Sequence, residues 1–295
     1  VPSFEEDFLK KRNNIINRLM ENKALSNKLQ FPLFILGKEK GEDIITYFEK
    51  GIDVDTRPLN IYRFLSFLPL VGIGLLFYDM GLAFTAIIFI VSINLFFYNK
   101  NKRAINLEIE NFKYIGDLIL CAESIIKVGI NEIESDLDEM NKVLKNLRAL
   151  KKNIIKLRHN DSYRSELELI IDYLNMLVLR EPKIFYKTVN LLNKHREDLL
   201  NLYVMVGQVD AYIALASYKS SLKYHTEPTL KKDKGFYLYA EKLYHPLLEE
   251  PVPYNVELNN KGALITGSNA SGKSTFLKTI GINSLFAQTL YFVFA

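Results

Sequence analysis

Residues 267–274 follow the spacing G-x-x-x-x-G-K-[ST], with glycine at Gly267 and Gly272. Glycines at these positions free the backbone to wrap a polyphosphate with its N–H groups. Lys273 is placed to reach the β- and γ-phosphates, and a hydroxyl at Ser274 is a Mg²⁺ ligand in loops of this type. The pattern predicts a phosphate-binding loop for ATP and Mg²⁺. We assign nucleotide binding to Gly267, Asn269, Ser271, Gly272, Lys273, Ser274 and Thr275, and metal binding to Ser274.

The chain on either side of the loop supplies the elements that a phosphate site needs. The apolar run at residues 262–266 predicts a short buried strand before the loop. Residues 275–288 predict a helix directly after it. The phosphates would then lie at a helix N-terminus, where backbone N–H groups and the helix dipole favour anions.

ATPases with a phosphate-binding loop also carry a second motif, an acidic one, which this sequence does not show. Such enzymes hold Mg²⁺ and orient water with an acidic residue on a later strand. No such strand follows the loop before Ala295, and the chain begins with Val1 rather than methionine. We therefore expect a piece of a larger ATPase that binds phosphates but hydrolyses ATP poorly, and we assign it no catalytic residue.

Composition excludes several classes of protein. The single cysteine, Cys121, rules out an intramolecular disulfide and fits a reducing compartment. The four scattered histidines show no metal-ligand spacing. A net charge of +4 is too small to argue for a nucleic-acid partner by itself.

Two uncharged runs, residues 64–78 and 82–98, flank a short turn that contains Asp79. Both outer ends are basic, and aromatic residues lie where a membrane interface would be. We expect a membrane hairpin over residues 61–98 with both termini and the ATPase domain in the cytoplasm. The alternative is a buried hairpin in a soluble core, where helices this long and apolar on all sides are unusual.

The sequence pattern predicts that most of the rest of the chain is helical. Residues 4–29 predict an amphipathic helix, and residues 31–55 predict broken structure with a short helix near 44–48. Residues 104–225 contain little Gly or Pro and predict a bundle of four or five antiparallel helices. Three apolar stripes are expected in its core: Leu118, Ile119, Ala122, Ile125 and Ile126; Leu137, Met140, Val143, Leu144 and Leu147; Ile170, Ile171, Leu174, Leu177 and Val178.

These patterns predict a mainly α fold, a membrane hairpin and a helical bundle or lever region, followed by the start of an α/β P-loop domain. The expected domains are residues 1–57 (a helix and irregular structure), 58–103 (the hairpin), 104–228 (the helical core) and 229–295 (the first part of the ATPase domain). Cations that include Lys145, Arg148 and Lys152 could form a nucleic-acid surface. A solvated helix face is the favoured alternative, because no aromatic residues are interleaved with them.

Several motifs around the loop together resemble the MutS family of mismatch-repair ATPases. Residues 266–275 match that family's T-G-P-N-x-x-G-K-S-T, except that Ser268 replaces the Pro. Ser271 occupies a variable position at which the family usually has Gly. His245 and Pro246 match a His-Pro step, and residues 287–288 and 292–295 resemble A-Q followed by an aromatic-V-P-A, with Phe294 in place of Pro. The loop spacing is also compatible with ABC and SMC-type ATPases.

The resemblance implies a MutS-like ATPase that forms a homodimer through its nucleotide domain and has a repair-related role. DNA is a possible partner, and we expect the protein to contact mostly the phosphate backbone of the DNA. The resemblance also implies that Pro253 and Tyr254 lie near the adenine of ATP. The alternatives are an ABC or SMC-type ATPase head, and a membrane tether with a scaffold nucleotide domain. Residues 4–6 fit the letters of the family's aromatic-x-Glu mismatch wedge, but they open a helix, so we expect no mismatch preference.

Overall fold

The computed structural model describes residues 5–37, 44–129, 134–157, 166–231, 235–268 and 271–295. This part of the chain is mainly helical with one small sheet near its C-terminal end, which confirms the predicted fold class. Its elements are α1 (Glu6–Glu21), α2 (Lys23–Leu36), α3 (Ile44–Lys50), α4 (Pro58–Leu65), α5 (Leu68–Leu75), α6 (Met80–Val128), α7 (Glu134–Leu157), α8 (Glu166–Leu177), α9 (Arg180–Lys194), α10 (Arg196–Ser221), β1 (Tyr237–Leu243), β2 (Tyr254–Asn259) and α11 (Lys273–Thr289).

The chain divides into two compact units. The hairpin unit contains Phe31–Gly129 and Ser135–Gly207, and the loop unit contains Val1–Gln30, Ile130–Glu134 and Gln208–Ala295. The domain boundaries expected at residues 57, 103 and 228 remain predictions.

The single amphipathic helix expected at residues 4–29 is instead two helices. α1 ends before Asn22, whose side-chain oxygen accepts a hydrogen bond from the Leu25 N–H at 3.0 Å. Asparagine favours helix starts because its side chain satisfies such an N–H group. α2 then continues through Pro32 to Leu36, into the region where we expected broken structure.

The apolar hairpin consists of α4 and α5 on one arm and the start of α6 on the other. The Asp79 carboxylate accepts a hydrogen bond from the Leu82 N–H at 2.8 Å and caps α6. α6 does not end with the apolar run at Tyr98 but continues to Val128: this stretch contains no Pro, and it stays helical through Gly116. Its 49 residues correspond to a length of about 74 Å.

By length and composition, three helical stretches of the described chain could cross a membrane: Pro58–Leu75, Met80–Lys100 and Arg196–Ser221. The first two form the hairpin, whose outer surface consists of large apolar side chains such as Phe67, Phe77 and Ile88. The third, α10, carries Asp210 near its middle and buries Lys219 among polar partners, which a packed protein helix can also do.

The core of the hairpin unit confirms two of the three predicted stripes. The stripe of α7 is buried, and so is that of α6 except for the half-buried Ile126. The stripe on α8 is not core: Ile170, Ile171 and Leu174 are each more than half exposed. This prediction was wrong because an apolar stripe marks one face of a helix but does not determine what covers that face.

Candidate phosphate-binding site

The loop unit places the candidate loop between a two-stranded sheet and α11. β1 and β2 pair antiparallel from Tyr237 opposite Asn259 to Leu243 opposite Tyr254. The buried strand expected at residues 262–266 is absent: this segment forms neither strand nor helix, and Leu264 is 90% exposed. A strand of this kind is buried only when neighbouring strands and helices cover it, and no described element does so here.

The two loop glycines both occupy positions that a side chain would disturb. Gly272 has φ +86°, in the left-handed region that favours glycine. A Cβ on Gly267 would lie 2.7 Å from the Ser271 hydroxyl oxygen. The backbone turns at Gly272 into α11, whose first helical bond runs from the Phe276 N–H to the Gly272 carbonyl at 2.9 Å. The helix predicted after the loop is therefore confirmed.

Lys273 folds its ammonium onto the loop that precedes it. Its Nζ donates to the carbonyl oxygens of Gly267 at 2.6 Å and Ser268 at 2.5 Å. The first N–H groups of any helix lack intrahelical acceptors, and the first turn of α11 contains no acidic residue that would compete for them. Ser274 is exposed beside these groups. This donor set fits phosphate oxygens, with the Ser274 hydroxyl available to Mg²⁺.

The other predicted site residues divide into three cases. Asn269 lies outside the described residues. The Thr275 carbonyl accepts a hydrogen bond from the Thr279 hydroxyl at 2.7 Å, inside α11. The Tyr254 ring packs edge-on against Phe276, with ring centres 5.2 Å apart, and its hydroxyl lies 3.7 Å from where a Cβ on Gly272 would be. Tyr254 thus contacts the base of the loop, and Pro253 beside it is exposed.

An aromatic cluster holds the far end of α11. Tyr244, Phe292 and Phe294 are buried and pack against Phe286 and Ile282 of α11, and against Tyr218, Leu222 and Leu290. The segment next to the His245-Pro246 step and the segment 292–295, which lie far apart in the sequence, therefore pack together. Asn283 joins them: its Nδ2 donates to the Tyr244 carbonyl at 3.2 Å, and its Oδ1 accepts from the Phe294 N–H at 2.7 Å. Sequence analysis missed Asn283, because a polar residue within a helix gives no sign of distant backbone partners.

Lys219 makes a second long-range connection within the loop unit. Only 2% of its surface is exposed, and its Nζ donates to the side-chain oxygens of Asn13 at 2.7 Å and Asn17 at 2.6 Å. The same ammonium lies 4.8 Å from the centre of the Phe292 ring. Burial lowers the pKa of Lys219, and the Glu227 carboxylate opposes that shift. Lys219 thus links α1, α10 and the segment after α11.

Of the residues that resemble the mismatch wedge, Glu6 makes contacts within the protein. The Glu6 carboxylate accepts a hydrogen bond from the Tyr291 hydroxyl at 2.7 Å and pairs with Lys10 at 2.9 Å. Phe4 lies outside the described residues. The expectation that residues 4–6 give no mismatch preference remains a prediction.

His225 should make the loop unit sensitive to acid. Burial and the neighbouring Lys219 ammonium lower the pKa of His225, and Glu227 pulls the other way. The unfolded chain therefore takes up a proton near the ordinary histidine pKa of about 6.5, where the folded state still resists it. Stability should fall as the pH drops through that value. We expect a smaller loss of Tm between neutral and mildly acidic pH in His225→Gln than in the unchanged chain; an equal loss would contradict this assignment.

Restoring the family's proline at position 294 should destabilise this protein. Phe294→Pro removes a fully buried ring, at a cost of about 3–5 kcal/mol in comparable truncations. It also removes the N–H that donates to Asn283 Oδ1. Leaving that buried oxygen without a donor costs about 1–3 kcal/mol of stability. Phe294→Leu keeps the N–H and most of the volume, so urea unfolding should show a much smaller loss. Equal losses in the two variants would show that the hydrogen bond contributes nothing.

Comparison with known proteins adds relatives for part of the chain. It is 34% identical over 115 residues to "Endonuclease MutS2" of Staphylococcus aureus strains Newman and MSSA476, covering 38% of this chain and 14% of each relative. It is 34% identical over 113 residues to the "Mitochondrial DNA mismatch repair protein mutS homolog" of Sarcophyton glaucum, covering 34% of this chain and 11% of that relative. No family model and no solved structure matches the chain. Over little more than a third of its length, the chain is thus related to MutS-family proteins.

Proposed function

We propose that the chain is the membrane-associated, ATP-binding part of a MutS-like ATPase with a DNA-related role. The observation that carries this proposal is the convergence of Lys273, the left-handed Gly272 and the N-terminus of α11 on one exposed loop. The similarity to MutS-family proteins supports the DNA-related role. A homodimer through the nucleotide domain is what the resemblance to that family implies. An ABC or SMC-type head would share the loop, and the similarity to MutS-family proteins is the observation that favours the MutS-like protein.

The structure offers a route by which bound ATP could act as a switch. Phosphates at the start of α11 would pull on its N–H groups and on Lys273. The other end of α11 is fixed by Asn283 and by Phe286, whose ring lies 4.9 Å from Phe294. Phe294 in turn packs against Tyr218 of α10 at 6.3 Å. A shift of α11 would therefore be transmitted to the end of α10.

We place residues 61–98 in a bilayer, with both ends in the cytoplasm. The exposed apolar surface of the hairpin and the cations at both of its ends support this arrangement. An impermeant thiol reagent applied to intact cells should label Asp79→Cys and leave Asn101→Cys unlabelled. The reverse result would contradict the proposed topology.

DNA binding is expected to be directed at phosphates and indifferent to mismatches. Lys145, Arg148 and Lys152 are exposed on α7 at spacings that place them along one side. Replacing all three by alanine should reduce the slope of log affinity against log salt by about 2.7, since each phosphate contact contributes about 0.9. Replacing Lys50, Lys127 and Lys278, which are also exposed, removes the same charge and serves as the control.

Matched and mismatched duplexes should bind equally in detergent at two salt concentrations. A mismatch preference above about tenfold, or roughly 1.4 kcal/mol, would overturn the expectation. Absence of binding at both salts would favour a protein partner and the scaffold role.

A further inference from the structure

The proposed function leaves the exposed apolar face of α8 without a role. Ile170, Tyr173 and Leu174 lie at positions i, i+3 and i+4, so they share one side of the helix. Together with the neighbouring Ile171 they are 52–65% exposed. Four large apolar side chains on one helix face need an occupant that is itself apolar.

A buried asparagine fixes the C-terminal end of α8 to the hairpin. Asn94 lies in the uncharged run of α6 and is fully buried. Its Nδ2 donates to the Leu177 carbonyl of α8 at 2.6 Å and to the Leu65 carbonyl at the end of α4 at 3.3 Å. Carbonyls at helix ends lack intrahelical donors, so one amide satisfies two helix ends at this point.

A tight corner follows α8 at this same C-terminal end. Leu179, fully buried and with φ +50°, joins α8 to α9. α9 packs against α4, where the Tyr186 and Tyr62 rings stack with centres 5.5 Å apart. The position of α8 next to the hairpin is therefore set by a hydrogen bond and by a packed corner.

The position of Asn94 along α6 gives the depth in the membrane at which α8 is attached to the hairpin. Asn94 precedes Lys100, the cation at the end of the apolar stretch, by six residues, or about 9 Å of helix. Tyr98 lies between them and donates to the Glu181 carboxylate of α9 at 2.8 Å. Helices that lie in the membrane interface bury their apolar face about 5–10 Å below the headgroups. Arg180, the first residue of α9, lies three residues after the end of α8, is exposed, and is suited to anionic headgroups.

We propose that α8 lies in the membrane interface as a third lipid-contacting element, with Ile170, Ile171, Tyr173 and Leu174 facing the acyl chains. The inference rests on the proposed insertion of the hairpin. We choose lipid as the occupant because Asn94, inside the apolar run of the hairpin, holds the C-terminal end of α8, so an inserted hairpin brings α8 to the bilayer. Asn94 acts here as a positioning residue that sets the depth of α8.

The test measures quenching of a fluorophore by lipid nitroxides. The chain with Cys121→Ala carries one cysteine, at Tyr173→Cys, Ile88→Cys or Lys152→Cys, labelled with an environment-sensitive dye. It is reconstituted in vesicles of phosphatidylcholine and phosphatidylglycerol with nitroxides placed shallow or deep in the acyl chain. We expect shallow nitroxides to quench position 173 most, deep ones to quench position 88 most, and neither to quench position 152.

The outcomes separate the two proposals. Quenching at 88 without quenching at 173 overturns the inference about α8 and leaves the hairpin in the bilayer. No quenching at either position overturns both. A dye at 173 that is shielded from aqueous iodide but not quenched by lipid shows that protein covers the face, which also overturns the inference. Asn94→Leu should reduce quenching at 173 and leave 88 unchanged; unchanged quenching at 173 would remove the positioning role of Asn94.

Discussion

Lys273→Ala is expected to weaken ATP binding at least tenfold. The substitution removes the ammonium that the structure holds over the loop through the carbonyls of Gly267 and Ser268. A charge-assisted hydrogen bond contributes about 1.5–3 kcal/mol, and about 1.4 kcal/mol corresponds to a tenfold change in affinity. Titration of labelled ATP with Mg²⁺ measures the effect directly.

Lys278→Ala is the matched control. Lys278 lies in the same helix, is exposed, and carries the same charge, but it is one turn beyond the loop. The control should leave ATP affinity unchanged, and the two variants should have similar Tm. Equal affinities in Lys273→Ala and the unchanged chain would mean that the loop does not bind nucleotide through this lysine.

Ile88→Asp is expected to release the chain from membranes. Ile88 lies in the middle of the apolar part of α6, and 66% of its surface is exposed on the hairpin. An aspartate at the centre of a membrane helix costs about 2.5–3.5 kcal/mol on insertion scales, so partition into vesicles should fall about a hundredfold. Flotation of the chain with vesicles on a density gradient gives the bound fraction.

The control for this effect is Ile155→Asp. Ile155 is an isoleucine of α7 with 51% of its surface exposed, so the change in side chain is the same. It lies outside the hairpin, and flotation should not change. If both variants float like the unchanged chain, or if the unchanged chain remains soluble without detergent, the hairpin does not insert.

Local sequence patterns predicted the parts of the site that depend on local physics. The glycine spacing predicted a loop that needs backbone freedom, and Gly272 has a φ of +86°; the residues after it predicted α11. The strand at residues 262–266 was wrong, because burial of a strand depends on neighbours that its own five letters do not specify. For the same reason the α8 stripe was correct as an apolar face and wrong as core.

Contacts between distant residues were beyond the sequence. Asn283 bonds to Tyr244 and Phe294, and Lys219 bonds to Asn13, across separations that no periodicity reports. Asn94 could have been noticed as a polar residue in an apolar run, which in membranes marks a residue with a specific partner. Its two carbonyl acceptors could be identified only from the fold.

The continuity of α6 turns the hairpin into a lever. From Lys100 to Val128 the helix extends about 42 Å; it contains no Pro and stays helical through its one glycine, Gly116. A change in tilt of about 5° at the membrane end would then displace the far end by about 4 Å, since rotation is converted to translation in proportion to length. Bilayers of different thickness impose different tilts on inserted helices. An inserted α6 would therefore transmit a change in bilayer thickness mechanically to Phe112, Ile115 and Leu118 in the core of its own unit.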